Sequence, residues 1–228
     1  MHDVTFLRVF TDARSANGNQ LGVIVEGAAV AADDRQAIAA ELGFSETVFV
    51  DDPIEGRIKI FTPARELPFA GHPAVGTAWL LRHLGFSTKC LFVSAGTLDT
   101  SQQDGVTYVT ARPSWVSRPF NIMQMDAPAD IDELRAPPVG LGHGLVWAWT
   151  DERAGRLRTR VFSANLSVDG SLVEDEATGS ASMQLAVALN RPLRITQGRG
   201  SVLFANPLGG DRCQIGGSVC LDEAIALN

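Results

Sequence analysis

The sequence predicts an α+β fold made of two similar halves, each built around one long central helix. Three observations carry this expectation. Strand-like runs greatly outnumber helical ones. A strand–turn–helix passage occurs twice. The first copy runs Arg57-Ile-Lys-Ile-Phe61-Thr62, then Glu66-Leu-Pro-Phe-Ala-Gly71-His72-Pro73, then Gly76-Thr77-Ala78. The second runs Arg158-Thr-Arg-Val-Phe162-Ser163, then Glu174-Asp175, then Gly179-Ser180-Ala181. Each copy has a Gly-hydroxyl-Ala step leading into an apolar helix. The first turn of a helix presents unpaired backbone N–H groups and so attracts anions. Two such openings suggest halves that face a shared cleft suited to a small carboxylate.

Each element follows from local pattern. Val4 to Phe10 alternates like a strand, and a polar loop ending Asn17-Gly18-Asn19 leads to a β-branched run over Leu21 to Glu26. Asp33 or Asp34 fits an N-cap for a helix carrying Ile38 and Leu42 and stopping at Gly43. Strands are expected at Thr47 to Val50 and Arg57 to Phe61. The helix after Gly71 carries Val75, Trp79 and Leu80 and ends near Gly85. Short strands follow at Cys90 to Val93, Thr97 to Thr100 and Val106 to Ala111. Residues 112–120 are placed as the hinge, which divides the chain into 1–112 and 113–228. The second half adds strands at Asn121 to Met125, Leu145 to Trp149 and Leu157 to Phe162. Its helix is expected over Thr178 to Asn190. Hairpin-like strands follow around Leu193 to Thr196, Ser201 to Ala205, Cys213 to Ile215 and Val219 to Leu221. The clusters Gly140-Leu-Gly142-His-Gly144 and Gly198-Arg-Gly200 lack the strand-to-helix context of a dinucleotide fingerprint and read as turns.

Composition narrows the function. The chain has 228 residues, 45% of them hydrophobic, and a net charge of −7. It holds no basic run, so nucleic acid is not an expected partner. Its apolar stretches are too short to cross a bilayer, and its first residues lack a secretory pattern. A cytoplasmic location away from membranes is expected. Cys90, Cys213 and Cys220 form no C-x-x-C and have no histidine at ligand spacing, so they read as small strand residues, with no metal site.

Glu46 is the first candidate for chemistry. It stands in Ser45-Glu46-Thr47, between an apolar helix and an apolar strand. Burial at such a lip raises a carboxyl's pKa and suits it to take and give a proton; from position alone, a solvated strand-edge Glu is the commoner case. His72 opens the first helix before Pro73, where the helix end lowers its pKa; the plain alternative is a surface cap. Asp175 lies just before the second helix beside Glu174 and Glu176. Three adjacent carboxylates usually make a solvated turn, but here they fall at the repeated helix start. Asn17-Gly18-Asn19 reads either as a tight turn or as a donor of amides to the cleft. Ser163 and Ser167 read as ordinary hydroxyls. No Ser-His-Asp order, G-x-S-x-G or P-loop is present.

Taken together, these motifs resemble the phenazine biosynthesis PhzF-like proteins, which share the diaminopimelate-epimerase-like fold. The similarity rests on Gly18-Asn19-x-Leu-Gly-Val-Ile-Val, Leu42-Gly-Phe-Ser45-Glu46-Thr-Val-Phe, Ile60-Phe-Thr-Pro63 with Glu66-Leu-Pro-Phe-Ala-Gly71-His72-Pro73, and Glu174-Asp175-x-Ala-Thr178-Gly179-Ser180-Ala. It spans residues 5–81 almost continuously and returns over 158–190. The resemblance implies two pseudo-symmetric domains, each a curved sheet or open barrel around a central helix, with the active site between them. It also implies a cofactor-independent isomerase, commonly a homodimer, acting on a small carboxylate-bearing substrate. In that reading Glu46 moves the proton, His72, Asp175 and Ser180 bind or orient the substrate, and Gly71 and Gly179 let N–H groups reach its carboxylate. Asn19 belongs to the same binding set.

Diaminopimelate epimerase carries cysteines at the places of Asn19 or its neighbours and of Gly179-Ser180. This chain has none there, so two-thiol racemisation is disfavoured. The chain departs from the family at Gln20, where Pro is usual, at Phe162-Ser163-Ala164-Asn165, which replaces Phe-x-Pro, and over Leu166 to Leu172. Its middle, 112–156, is short. The altered second half motivates a rival reading as a non-catalytic binder of small acids; a purely structural protein leaves Glu46, His72 and Asp175 without a shared purpose.

Overall fold

A computed structural model describes residues 3–164 and 170–222. Ser167 and most of the altered run from Leu166 therefore lie outside the described residues. β1 (Thr5–Thr11) pairs antiparallel with β2 (Asn19–Ile24), and α1 (Ala32–Leu42) crosses over to β3 (Thr47–Asp52), which lies parallel to β2. β4 (Arg57–Phe61) runs antiparallel to β3 and to the short β5 (Glu66–Leu67), which leads into α2 (Gly71–His83). β6 (Cys90–Val93) is parallel to β4, and β7 (Gly96–Gln103) and β8 (Val106–Ala111) continue as antiparallel neighbours.

The order then repeats. After a 3-10 turn at Pro113–Trp115 come β9 (Asn121–Gln124), α3 (Pro128–Asp132) and β10 (Gly144–Asp151), with β10 parallel to β9. β11 (Arg156–Ser163) runs antiparallel to β10 and to the short β12 (Val173–Asp175), which leads into α4 (Gly179–Leu189). β13 (Leu193–Gln197) is parallel to β11, and β14 (Ser201–Pro207) and β15 (Cys213–Leu221) follow antiparallel. The two halves thus share one pairing scheme, strand by strand, from β2 to β8 and from β9 to β15.

β1 has no counterpart in the second half among the described residues, and this accounts for the difference between the sheets. β15 pairs with β8 along 213–217 and with β1 along 218–221. The path β1-β2-β3-β4-β6-β7-β8-β15 therefore closes on itself as an eight-stranded barrel. The second sheet, β15-β14-β13-β11-β10-β9, ends at β9.

α2 fills the barrel. Apart from Trp79, every residue from Gly71 to Leu81 is buried, which is the pattern of a helix apolar all round. Replacing Leu80 or Leu81, both 1% exposed or less, by Ala costs about 2–5 kcal/mol. α4 buries Ala181, Met183, Leu185 and Ala186 against β14 and β15.

Helix ends refine the sequence expectations. α1 stops at Gly43, which adopts φ 68° as a left-handed cap. Asp33 and Asp34 do not cap it; Ala31 holds that position, and the two acids sit in the first turn, where they favour the helix dipole. α3 and the two-to-three-residue strands β5 and β12 escape sequence reading because they are too short to show a period. The three cysteines lie in β6 and β15, unpaired, with Cys213 buried and the others half-buried.

Candidate active site

The two helix starts meet. Gly71 and Gly179 abut backbone to backbone beside Ile215. Around this junction lies a pocket of about 40 Å3. Glu46, Asp175, Thr178, Ser180, Ser163 and Ser117 supply its polar lining, and Leu67, Phe69, Ala70, Val116 and Phe120 supply apolar walls.

Glu46 reaches the pocket because β2 and β3 are parallel and in register at Gly22–Thr47, which brings the residues just before β3 level with the start of β2. It is 9% exposed. Burial pushes its carboxyl up to about 8, the charge of Asp175 adds to the rise, and a hydrogen bond from Ser45 opposes it. Its Oε2 has no hydrogen-bond partner and stands 3.5 Å from His72 Nδ1.

His72 is a buried residue, not a surface cap. Burial lowers its pKa to about 3, against a smaller contribution from the Gln20 backbone, so the ring is neutral. Its Nε2 has no hydrogen-bond partner.

Asp175 closes the opposite side. Glu174 and Asp175 fall on opposite faces of β12, and Glu176 lies just past its end. Glu174 points out and takes Arg160 in a two-point contact of 2.8 and 2.7 Å. Glu176 accepts from the Arg199 N–H and from Ser201 Oγ, each at 3.0 Å. Asp175 turns inward and is 7% exposed. Asn19 Nδ2 donates to its Oδ1 at 2.7 Å and Thr178 Oγ1 donates to its Oδ2 at 2.6 Å. Burial raises its carboxyl to about 6, with these donors opposing the rise.

Asn19 joins the acidic groups. It donates also to the Ala177 carbonyl at 3.1 Å, and its Oδ1 accepts from Ser45 Oγ at 3.3 Å. Asn17 and Gly18 stay in the turn, where Asn17 bonds Asp12 and the Gly18 N–H donates to Ser201 Oγ at 2.9 Å. Of the expected residues, Glu46, Asp175 and Ser180 line the pocket, while His72 stands against Glu46, Asn19 bonds Asp175, and Gly71 and Gly179 form the junction beside them.

Sequence reasoning missed Gln197. Fully buried, it donates to the Asp175 carbonyl at 2.8 Å and to Thr178 Oγ1 at 3.0 Å, and it accepts from the Thr178 N–H at 3.1 Å. A signal existed: Leu193, Ile195 and Gln197 share the inward face of β13, where a Gln is out of place unless it is fully bonded. The apolar walls carried no signal. Among the described residues, no group of three or more His, Cys, Asp or Glu is arranged to hold a metal. No helix among them is long and apolar enough to cross a membrane.

A profile of the phenazine biosynthesis-like protein family matches residues 7–118. A relative from Pseudomonas chlororaphis, trans-2,3-dihydro-3-hydroxyanthranilate isomerase, is 30% identical over 259 residues, covering 92% of this chain and 91% of that protein. The chain belongs to the phenazine biosynthesis-like family. Its enzyme class is isomerase, as in the curated family members it matches. A PhzF-family structure from Enterococcus faecalis superposes with TM-score 0.73 at 20% identity, covering 96% of this chain and 95% of that one. A protein from Pseudomonas aeruginosa described as an epimerase gives TM-score 0.69 at 25% identity, covering 97% of both chains. The phenazine biosynthesis-like fold here is therefore the epimerase-like α+β fold with its paired halves.

Proposed function

We propose that this isomerase works without a cofactor, moving a proton between two carbons of a small carboxylate-bearing compound, with Glu46 as the acid and base. The observation that carries the reading is the position of Glu46: buried, raised to about 8, and facing the junction of two helix starts. Near neutral pH, Glu46 is mostly protonated and Asp175 mostly ionised, so the pocket holds one proton donor and one carboxylate. A single carboxyl that gives its proton to one carbon and, as the carboxylate, takes one back from another ends as it began, changes no oxidation state and needs no co-reactant.

The other residues then have distinct tasks. The N–H groups around Gly71 and Gly179, with the Ser180 hydroxyl, bind the substrate carboxylate. Asp175, held by Asn19 and Thr178, orients an amino or hydroxyl group. Neutral His72 faces Glu46 and steadies it without placing a cation beside it. The pocket's 40 Å3 has room for roughly three water molecules, so entry of substrate requires the walls to part. The reading extends to domains 1–112 and 113–228 meeting at this pocket, with β15 as their common strand, and to a cytoplasmic homodimer, which sedimentation velocity checks.

The test uses trans-2,3-dihydro-3-hydroxyanthranilate, the compound in the relatives' name, in deuterated water. Deuterium entering at carbon, dependent on Glu46, is the expected result. Binding without exchange on long incubation overturns the catalytic assignment and leaves a small-acid binder.

A further inference from the structure

The wall of the pocket formed by Val116, Ser117 and Phe120 comes from the crossing between the halves. Phe120 is anchored at two points. Its N–H donates to Gln184 Oε1 on α4 at 2.9 Å. Its ring stacks on His143, with centroids 4.1 Å apart and planes inclined at 29°.

His143 is 5% exposed and lies just before β10. Its two ring nitrogens meet opposite partners. The Ala164 N–H donates to Nδ1 at 3.2 Å, and Nε2 stands 3.3 Å from the Arg118 carbonyl, which can only accept. One tautomer satisfies both, the neutral ring with its proton on Nε2. Burial, with the charge of Arg118, also disfavours a protonated ring. The His143 carbonyl takes the Asn121 N–H at 3.0 Å. One imidazole therefore ties the crossing at Arg118 and Phe120 to Ala164, just past the end of β11 and next to Ser163 in the pocket lining.

Trp115, five residues before Phe120, is anchored elsewhere. Its ring meets Phe69 edge-on with centroids 6.0 Å apart and covers Gly96. The Phe120 wall thus belongs with α4, β10 and β11, while Trp115 belongs with the barrel.

We propose that His143 is a positioning residue that sets substrate affinity by holding Phe120 and Ser163 at a fixed spacing. This rests on the catalytic reading above. The wall touches the unreactive body of the substrate and not the proton at Glu46, so its loss weakens binding and spares the chemical step.

The test compares wild type, His143→Phe and His143→Asn. Phe keeps the stacking and removes both ring hydrogen bonds; Asn keeps an acceptor and a donor and removes the stacking. Anthranilate, a stable aromatic acid, is the calorimetric probe. His143→Phe is expected to weaken its binding by about tenfold, with His143→Asn in between. With trans-2,3-dihydro-3-hydroxyanthranilate, KM is expected to rise by a similar factor while kcat holds. Nitrogen NMR of the wild type is expected to show the proton on Nε2.

Unchanged anthranilate affinity in His143→Phe overturns the proposal. So does a fall in kcat at constant KM, a proton on Nδ1, or no anthranilate binding by the wild type. A wild type that binds anthranilate but turns nothing over sinks the catalytic reading instead, and the affinities and the tautomer still judge His143.

Discussion

Gly71 and Gly179 leave no room for a side chain between them: a β-carbon on Gly71 would stand 2.9 Å from the Gly179 α-carbon and 2.8 Å from Ile215 Cδ1. The obstacle on one side is backbone, which cannot swing away. The two positively polarised helix ends approach as closely as they do because both residues are glycine.

Gly71→Ala is accordingly expected to cost about 1–3 kcal/mol of stability and to weaken binding of anionic ligands. Gly179→Ala has nearest approaches of 3.1 Å and should cost less. Urea unfolding and anthranilate titration of both variants check the order.

Glu46→Gln keeps the shape and removes the carrier of the proton. Turnover is expected to fall by about 10²–10⁴-fold with an unchanged circular dichroism spectrum. Full turnover in this variant would show that the proton travels by another group.

The same carboxyl gives a pH signature in stability. Its folded pKa is raised from 4.5 to about 8, so between those values the folded state holds the extra proton and stability falls as pH rises. Asp175, raised from 3.8 to about 6, acts the same way at lower pH. His72, lowered from 6.5 to about 3, acts oppositely, its contribution rising with pH up to 6.5. Above 6.5 Glu46 dominates, because Asp175 is already mostly ionised and the unfolded His72 has only its last half proton to lose. Wild type is expected to lose about 2 kcal/mol between pH 6.5 and 8.5, a slope that Glu46→Gln removes. Urea midpoints across that range measure it.

Asn19 and Thr178 both donate to Asp175 and favour its charged form. Asn19→Ala or Thr178→Val should therefore raise the Asp175 pKa and move the acid limb of the activity profile to higher pH. Each is expected to cost about 1–3 kcal/mol by leaving a buried acceptor short of a donor. An acid limb that stays in place in both variants would show that Asp175 does not control it.

Gln197→Leu fits the apolar face of β13 but orphans the Asp175 carbonyl and the Thr178 N–H. It is expected to destabilise by about 2–4 kcal/mol and to perturb the Asp175 titration as well. Thermal unfolding and the activity profile read the two effects separately.

Much of this was legible in the chain. Strand positions, the stop of α1 at Gly43 and the twin helix starts follow from local chemistry, because glycine, capping and alternation act within a few residues. The separation of Glu174 from Asp175 follows from strand alternation once β12 is recognised, but β12 is too short to announce itself. For Glu46, position alone favoured a solvated strand edge, since nothing nearby shows that β12 and α4 will cover it. Gln197 and His143 act on residues 19 to 25 positions away, so neither role has a local signature.

The sequence by itself determined the duplicated strand-to-helix plan, the α+β class and the residue types gathered at each corner, because these depend on short-range periodicity and backbone preference. Tertiary structure alone decided that Glu46, His72 and Asp175 lose their water together, that β15 returns to close the barrel against β1, and that Phe120 is held by His143. Burial and long-range pairing depend on which surfaces meet, and those meetings are set by the whole chain at once.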